Sequence, residues 1–255
     1  MIDTHCHFDF EPFNTETDEW IKRTELAGVV RLIVPAVATS NWARIEMLAT
    51  RFPAIYFAVG LHPVWVAEHS EEHIEKLDQY LSSKPAKCVA VGECGLDFAI
   101  SDHDPEKQIA ILEAQLSLAD KYNLPVILHC RKAHNEMLQL LTRFPSVKGV
   151  LHAFSGSEQQ AMDYIKRGFL LGVGGTITYE RANKTRNAIA RLPLSSLVLE
   201  TDAPDMPISG YQGEANLPER LPLIAQALSE IRAVNVEVII QATSQNALKC
   251  FALNR

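Results

Sequence analysis

The sequence predicts an α/β fold, a single TIM-type (β/α)8 barrel, and three observations carry that expectation. Eight short apolar runs recur along the 255 residues. A more polar stretch with helical spacing follows each of them. Between the end of the first run at residue 7 and the end of the last at residue 202 lie seven intervals of about 28 residues, close to the ~30 residues of a βα repeat.

The runs are Met1–Ile2 leading into His5, Leu32–Val37, Ile55–Gly60, Cys88–Glu93, Pro125–His129, Val150–His152, Phe169–Val173 and Leu197–Asp202. Their Val, Ile, Leu and Ala content is that of parallel strands buried on both faces by helices. Between them, Asp104 followed by Pro105 gives an N-cap and a first helical residue, and Ile109, Leu112, Leu116 and Ala119 continue with helical period. Ser70 before Glu71 and Glu72 reads as another N-cap with an acidic first turn, and Gly28 and Gly168 stand where helices end. A doubly wound open sheet is the alternative. It usually carries a glycine-rich phosphate turn after the first strand, and no G-x-G-x-x-G follows the first run here. Val173-Gly174-Gly175-Thr176 comes late and reads as a tight turn after the seventh run. No linker or low-complexity segment interrupts the pattern, so residues 1–255 are expected to form one domain.

With 47% apolar and 22% charged residues, the chain is not collagen-like, disordered or membrane-embedded, and no stretch approaches the roughly 18 apolar residues of a spanning helix. The five cysteines, odd in number and without a C-x-x-C pair, suit a reduced intracellular protein, and no basic or apolar leader precedes Asp3-Thr4-His5. A cytoplasmic protein with no obligatory protein partner is expected. The 31 acidic residues against 24 Lys and Arg give a formal charge of −7 with neither sign gathered into a block, which argues against a broad phosphate-tracking surface.

Chemistry concentrates at the ends of the runs. His5-Cys6-His7 closes the first, and strand alternation turns both imidazoles to one face and Cys6 to the other. The same position is filled by Glu93, His129, His152 and Asp202 on later runs. In a βα barrel these ends build the active site, and burying such groups is costly unless they are paired or bind metal. Four histidines with two carboxylates exceed one tetrahedral ion that keeps a position open. They suit two divalent cations about 3.5–4 Å apart. The expected allocation gives His5, His7 and Asp202 to one ion, His129 and His152 to the other, and Glu93 to both as a bridge. A hydroxide between the ions is the expected nucleophile, with Asp202 as general base. Imidazole and carboxylate ligands suit Zn, Mn, Fe, Co or Ni, and Mg serves with phosphate substrates.

Six motifs in order carry a resemblance along essentially the whole chain: Ile2-Asp-Thr-His-Cys-His7, Gly60-Leu-His-Pro63, Gly92-Glu-Cys-Gly-Leu-Asp97, Pro125-Val-Ile-Leu-His-Cys-Arg131, His152-Ala-Phe-Ser-Gly156 and Glu200-Thr-Asp-Ala-Pro204. The chain resembles the TatD family of metal-dependent hydrolases, within the amidohydrolase superfamily, and within it the YjjV-like branch. The resemblance implies the barrel, the six ligands and hydrolysis of DNA phosphodiesters. Val64 departs from the family's pattern, where a second His often follows the Gly-Ile-His-Pro segment. Cys94 and Cys130 each follow a ligand and should point away from the metals as small buried hydrophobes.

His62 and Arg131 are candidate substrate contacts, the alternative for Arg131 being an ion pair with Asp97. Asp97 and Glu200 are expected to orient ligands rather than to bind metal. His69-Ser-Glu-Glu-His73 matches an inverted zincin pattern, but the Ser70 cap leaves His69 outside the helix. His103 and His134 read as surface residues. No Gly-x-Ser-x-Gly elbow supports a serine nucleophile, and Phe8-Asp-Phe-Glu11 is not the continuation of the other H-x-H phosphoesterase barrels. The leading expectation is hydrolysis of DNA ends or of a small phosphodiester. The alternatives are a binuclear enzyme acting on an amide, lactone or cyclic imide, and a non-catalytic metal-binding scaffold.

Overall fold

The computed structural model describes residues 1–101 and 104–253. Eight parallel strands pair in chain order: β1 (Ile2–Asp3), β2 (Arg31–Pro35), β3 (Ile55–Val59), β4 (Cys88–Asp97), β5 (Val126–Arg131), β6 (Gly149–Leu151), β7 (Leu170–Val173) and β8 (Leu197–Leu199). The last strand returns to the first through backbone bonds just beyond both: Leu199 O accepts from Thr4 N at 3.0 Å, His5 O from Asp202 N at 2.9 Å, and Ala203 O from His7 N at 2.7 Å. Strand order never reverses, so the open doubly wound alternative falls and the barrel stands.

Helices α1 (Thr17–Leu26), α2 (Trp42–Arg51), α3 (Glu71–Ser82), α4 (Pro105–Tyr122), α5 (His134–Leu141), α6 (Glu158–Lys166), α7 (Asn183–Arg191) and α8 (Leu221–Arg232) alternate with the strands, and α9 (Val236–Cys250) follows. The caps act as read: an Asp104 carboxylate oxygen accepts from Lys107 N at 3.0 Å, and Gly28 and Gly168 follow α1 and α6 in the left-handed region. Among the described residues no helix is long and apolar enough to cross a membrane.

The core has two parts. Leu32, Val34, Leu128 and Leu151 belong to the large outer cluster packed with the helices. Ile2, Ile33, Ala58, Ala90, Ile127, Val150 and Val198 meet in an inner cluster, closed at the N-terminal end by Ala247, Phe251 and Leu253 from α9 and the turn after it. Stepping two residues along a strand keeps the same face. Ile127 thus leads to His129 and Arg131, Val150 to His152, and Val198 to Glu200.

Two strands break that rhythm. In β1 the face of Ile2 is not the face of His5 and His7, because the regular strand ends at Asp3 and resumes as one bridge between Cys6 and Ala203. In β4 the register shifts between Val91 and Cys94, which takes the inner face from Ala90 to Glu93. A Cβ on Gly60 would come within 2.6 Å of the Gly92 backbone, so the close approach of β3 to this irregularity requires glycine. Asp202 is not a strand terminus either. It lies three residues past β8 with φ +56°.

Candidate metal centre

Glu93, almost wholly buried, stands at the middle of a group of imidazoles at the C-terminal mouth of the barrel. Its Oε2 lies 3.1 Å from His5 Nε2 and 3.6 Å from His7 Nε2, while Asp202 Oδ1 lies 3.4 and 3.7 Å from the same two nitrogens. The two nitrogens are 3.4 Å apart. Its other oxygen, Oε1, lies 2.9 Å from His152 Nε2 and 3.1 Å from His129 Nδ1, which are 3.2 Å from each other. A tetrahedral ion with bonds of ~2.0–2.1 Å has ligand atoms about 3.3–3.4 Å apart, so both clusters have ligand-cage spacing. Candidate ligand sets include His5, His7 and Glu93 on one side and His62, Glu93 and His129 on the other.

For His129 a second partner fixes which nitrogen faces the centre. His129 Nε2 lies 3.0 Å from Asp97 Oδ2, which assigns its proton to that bond and leaves Nδ1 as the inward lone pair. His62 is the opposite case. Its Nδ1 accepts from Val64 N at 3.1 Å, so the neutral ring carries its proton on Nε2 and donates it to Glu93 Oε1 at 3.0 Å. His62 is thereby a donor at the mouth, not a lone pair for a cation.

The electrostatics follow from burial. It holds the His5 imidazole well below its ordinary range, reinforced by His152 and His7 against the pull of Glu93. Burial pushes the Glu93 carboxyl up, but His62, His152 and His5 prevail and hold it well below the carboxylate range. Burial raises Asp202 to about 7, with His7 opposing and Glu93 and Asp205 adding to the rise. It likewise raises Glu200 to about 8, so this acid is protonated at neutral pH; its Oε1 accepts from Ala153 N at 2.5 Å and lies 3.8 Å from His152 Nδ1. Gly172 makes room for it, since a Cβ there would sit 2.1 Å from Glu200 Oε2. Burial lowers the His129 imidazole, but its bonds to Asp97 and Glu93 prevail and raise it to about 9. Nitrogen and oxygen donors gathered at cage spacing around one buried carboxylate fit divalent cations, which would displace the protons held there.

Two cavities open onto this floor. One, of about 250 Å³, is walled by Phe10, Val64 and Trp65; the other, of about 350 Å³, by Cys130, Ser155 and Met206. His129, Arg131, His152, Asp202 and Asp205 border both.

A family model described as TatD related DNase matches residues 2–252. The chain belongs to the TatD family. It is 48% identical to a protein of Escherichia coli K12 described as the uncharacterized metal-dependent hydrolase YjjV, over 98% of this chain and 97% of that one. The crystal structure of that YjjV superposes with a TM-score of 0.97 at 47% identity, covering 100% of this chain and 98% of the other. A 3'-5' ssDNA/RNA exonuclease TatD of Erwinia billingiae is 32% identical over 99% of both chains.

In this TatD chain the six expected ligands converge, and Glu93 reaches both sets. Arg131 makes the ion pair rather than standing free: its Nη1 lies 3.3 Å from Asp97 Oδ2, with the side chain 61% exposed over the mouth. Cys94 is fully buried and Cys130 faces α5 and α6, where its Sγ lies 3.5 Å from His134 Nδ1. His134 is therefore not a surface residue. At the start of α5 it turns inward, and its Nδ1 lies 3.1 Å from the Tyr164 hydroxyl. His103 lies outside the described residues. His69 falls outside α3 as its cap required, but it is buried and anchors the site loop by donating from Nε2 to His62 O at 2.9 Å.

Several positioning residues escaped sequence reasoning. Gln115 on α4 donates to Leu61 O at 3.1 Å and accepts from Leu61 N at 2.8 Å, gripping the backbone next to His62. Two turns earlier, Gln108 does the same at Asp97, at 3.0 and 2.8 Å. Both are buried, and their signal was polar residues on the apolar stripe of Leu112, Leu116 and Ala119. Asp3 accepts from Thr201 N and Oγ1 at 3.0 and 2.6 Å and from His5 N at 3.2 Å, which ties the first ligand segment to the last. Asn216, fully buried, donates to Thr201 O at 2.8 Å and Met206 O at 3.2 Å and so holds the segment carrying Asp202.

Proposed function

We propose that the protein hydrolyses phosphodiester bonds at unpaired DNA ends, or in small phosphodiesters, with two divalent cations. The carrying observation is the split carboxylate of Glu93, one oxygen on the His5–His7–Asp202 side and the other on the His129–His152 side. His5, His7 and Asp202 would hold one cation, His129 and His152 the other, and Glu93 both. Bound there, divalent cations polarise the phosphoryl group and lower the pKa of attacking water. Zn, Mn, Fe, Co, Ni and Mg all suit these ligands.

The rest is done by the chain. The exposed Arg131 guanidinium offers hydrogen-bond donors to phosphate oxygens at the mouth, and His62, whose Nε2 donates to Glu93 Oε1 in the free protein, would contact substrate by turning that donor to it. Asp202 takes the proton of the attacking water on Oδ2, its Oδ1 being turned to His5 and His7. Asp97 keeps the His129 ring in one tautomer and orientation. The phosphodiester reading draws on the match to the DNase family and the exonuclease relative. With a charge of −7, a single-strand end or small diester suits the mouth better than a wrapped duplex. Residues 1–255 act as one domain in this reading, because ligands at 5 and 202 share one mouth. Five free thiols suit the cytoplasm.

The test is metal analysis joined to digestion of end-labelled single-stranded DNA, with bis-phosphodiester and amide substrates in parallel. Two equivalents of metal and DNA cleavage in wild type, with cleavage lost in Glu93→Ala and Asp202→Ala, are expected. Cleavage unchanged in both variants, or turnover of amides alone, would overturn the proposal.

A further inference from the structure

We propose that the smaller cavity is a nucleobase subsite, in which Phe10 and Trp65 stack on the unpaired terminal base and seat its phosphate over the ligand cluster. The inference rests on the phosphodiester reading and adds how the substrate is recognised. Phe10, Val64 and Trp65 are 36%, 44% and 45% exposed, and all three wall the cavity whose floor holds Glu93, His129 and Asp202. Large apolar side chains kept wet beside a polar centre mark a ligand surface.

These side chains stand on fixed backbone. The Phe10 ring lies nearly parallel to that of His7, centroids 5.3 Å apart. Val64 and Trp65 follow His62, whose ring accepts from Val64 N and whose carbonyl is held by His69. A preformed aromatic wall loses little entropy on binding.

Charge points the same way. Among the described residues Arg131 is the one Lys or Arg side chain bordering this cavity, it is paired with Asp97, and Asp205 borders the cavity too. Beyond the metal centre such a mouth has little charge with which to track a phosphate backbone, so the base is the remaining source of affinity. Stacking supplies it without sequence preference, because every base has a π-face. The second cavity, across the same floor, is left for the other side of the scissile phosphate.

Trp65 reports on its own occupancy. Of three tryptophans, Trp42 is buried and Trp20 is covered by Phe13 and by Arg23, whose guanidinium lies 4.3 Å from its ring centre. Titrating metal-loaded enzyme with dAMP should quench tryptophan emission saturably, and 2-deoxyribose 5-phosphate should not; Trp65→Phe should lose the signal while dAMP still inhibits hydrolysis. Trp65→Ala should raise KM roughly tenfold for a dinucleotide and much less for its analogue with an abasic terminal residue, and Trp65→Phe should restore most of the difference. Equal KM changes on both substrates, or equal quenching by the sugar phosphate, would overturn the subsite. Quenching by dAMP in an enzyme that cleaves no phosphodiester would support the base subsite and sink the hydrolytic reading alone.

Discussion

The two ends of this barrel are built by the same strands and have opposite chemistry. At the N-terminal end Ile127, Val150 and Val198 pack against Phe251 and Leu253 in a dry layer. One pleat further on, ~7 Å along each strand, the same face carries His129, His152 and Glu200. The contrast teaches how a fold carries an expensive site. The apolar end and the helix-covered outer faces supply burial free energy, which offsets the cost of holding Glu93, Asp3 and Glu200 out of water at the other. Residues at the closed end should govern stability and those at the mouth turnover.

The sharpest break of that contrast is Glu93→Ala. It removes the two oxygens that approach the His5–His7 and His129–His152 sides and should lower hydrolysis at least about a thousandfold, with less than one metal equivalent retained by elemental analysis and an unchanged far-UV spectrum. Asp202→Asn should lower kcat about 10²–10³-fold while metal content falls less than in Glu93→Ala, measured on the same labelled DNA. At the closed end, Phe251→Ala should lower unfolding free energy by about 3 kcal/mol in urea, yet leave turnover per folded molecule within about twofold. Asp97→Asn tests the layer between, with metal affinity expected to weaken about 10–100-fold in a chelator competition.

The smallest expected effect is on the pH dependence of stability. Burial holds the His134 imidazole below its ordinary value of 6.5. The unfolded chain therefore takes up this proton first, so the contribution is full above that value and is lost as pH falls toward the folded pKa. Wild type should lose more urea stability than His134→Gln between about pH 7.5 and about pH 5.5.

Much of the site was legible because period-2 alternation and strand ends put ligand-type residues at one mouth. What alternation could not show is where it fails. The breaks at Thr4 and between Val91 and Cys94 leave no composition signal, yet they turn His5, His7 and Glu93 inward. The role of His62 depended on a single backbone N–H, that of Val64, which fixes its tautomer. Gln108 and Gln115 were visible as polar residues on an apolar stripe, but their partners lie 11 and 54 residues away.

The barrel, its helices and caps, and the six side chains at its mouth were readable from the order of residues, because buried strands, caps and ligand residues each have a local chemical signature. Which carboxylate oxygen serves which imidazoles, the pairing of Arg131 with Asp97, and the shared wall of Phe10 and Trp65 came from the folded chain. Those facts are distances between segments far apart in the chain, and packing alone sets them.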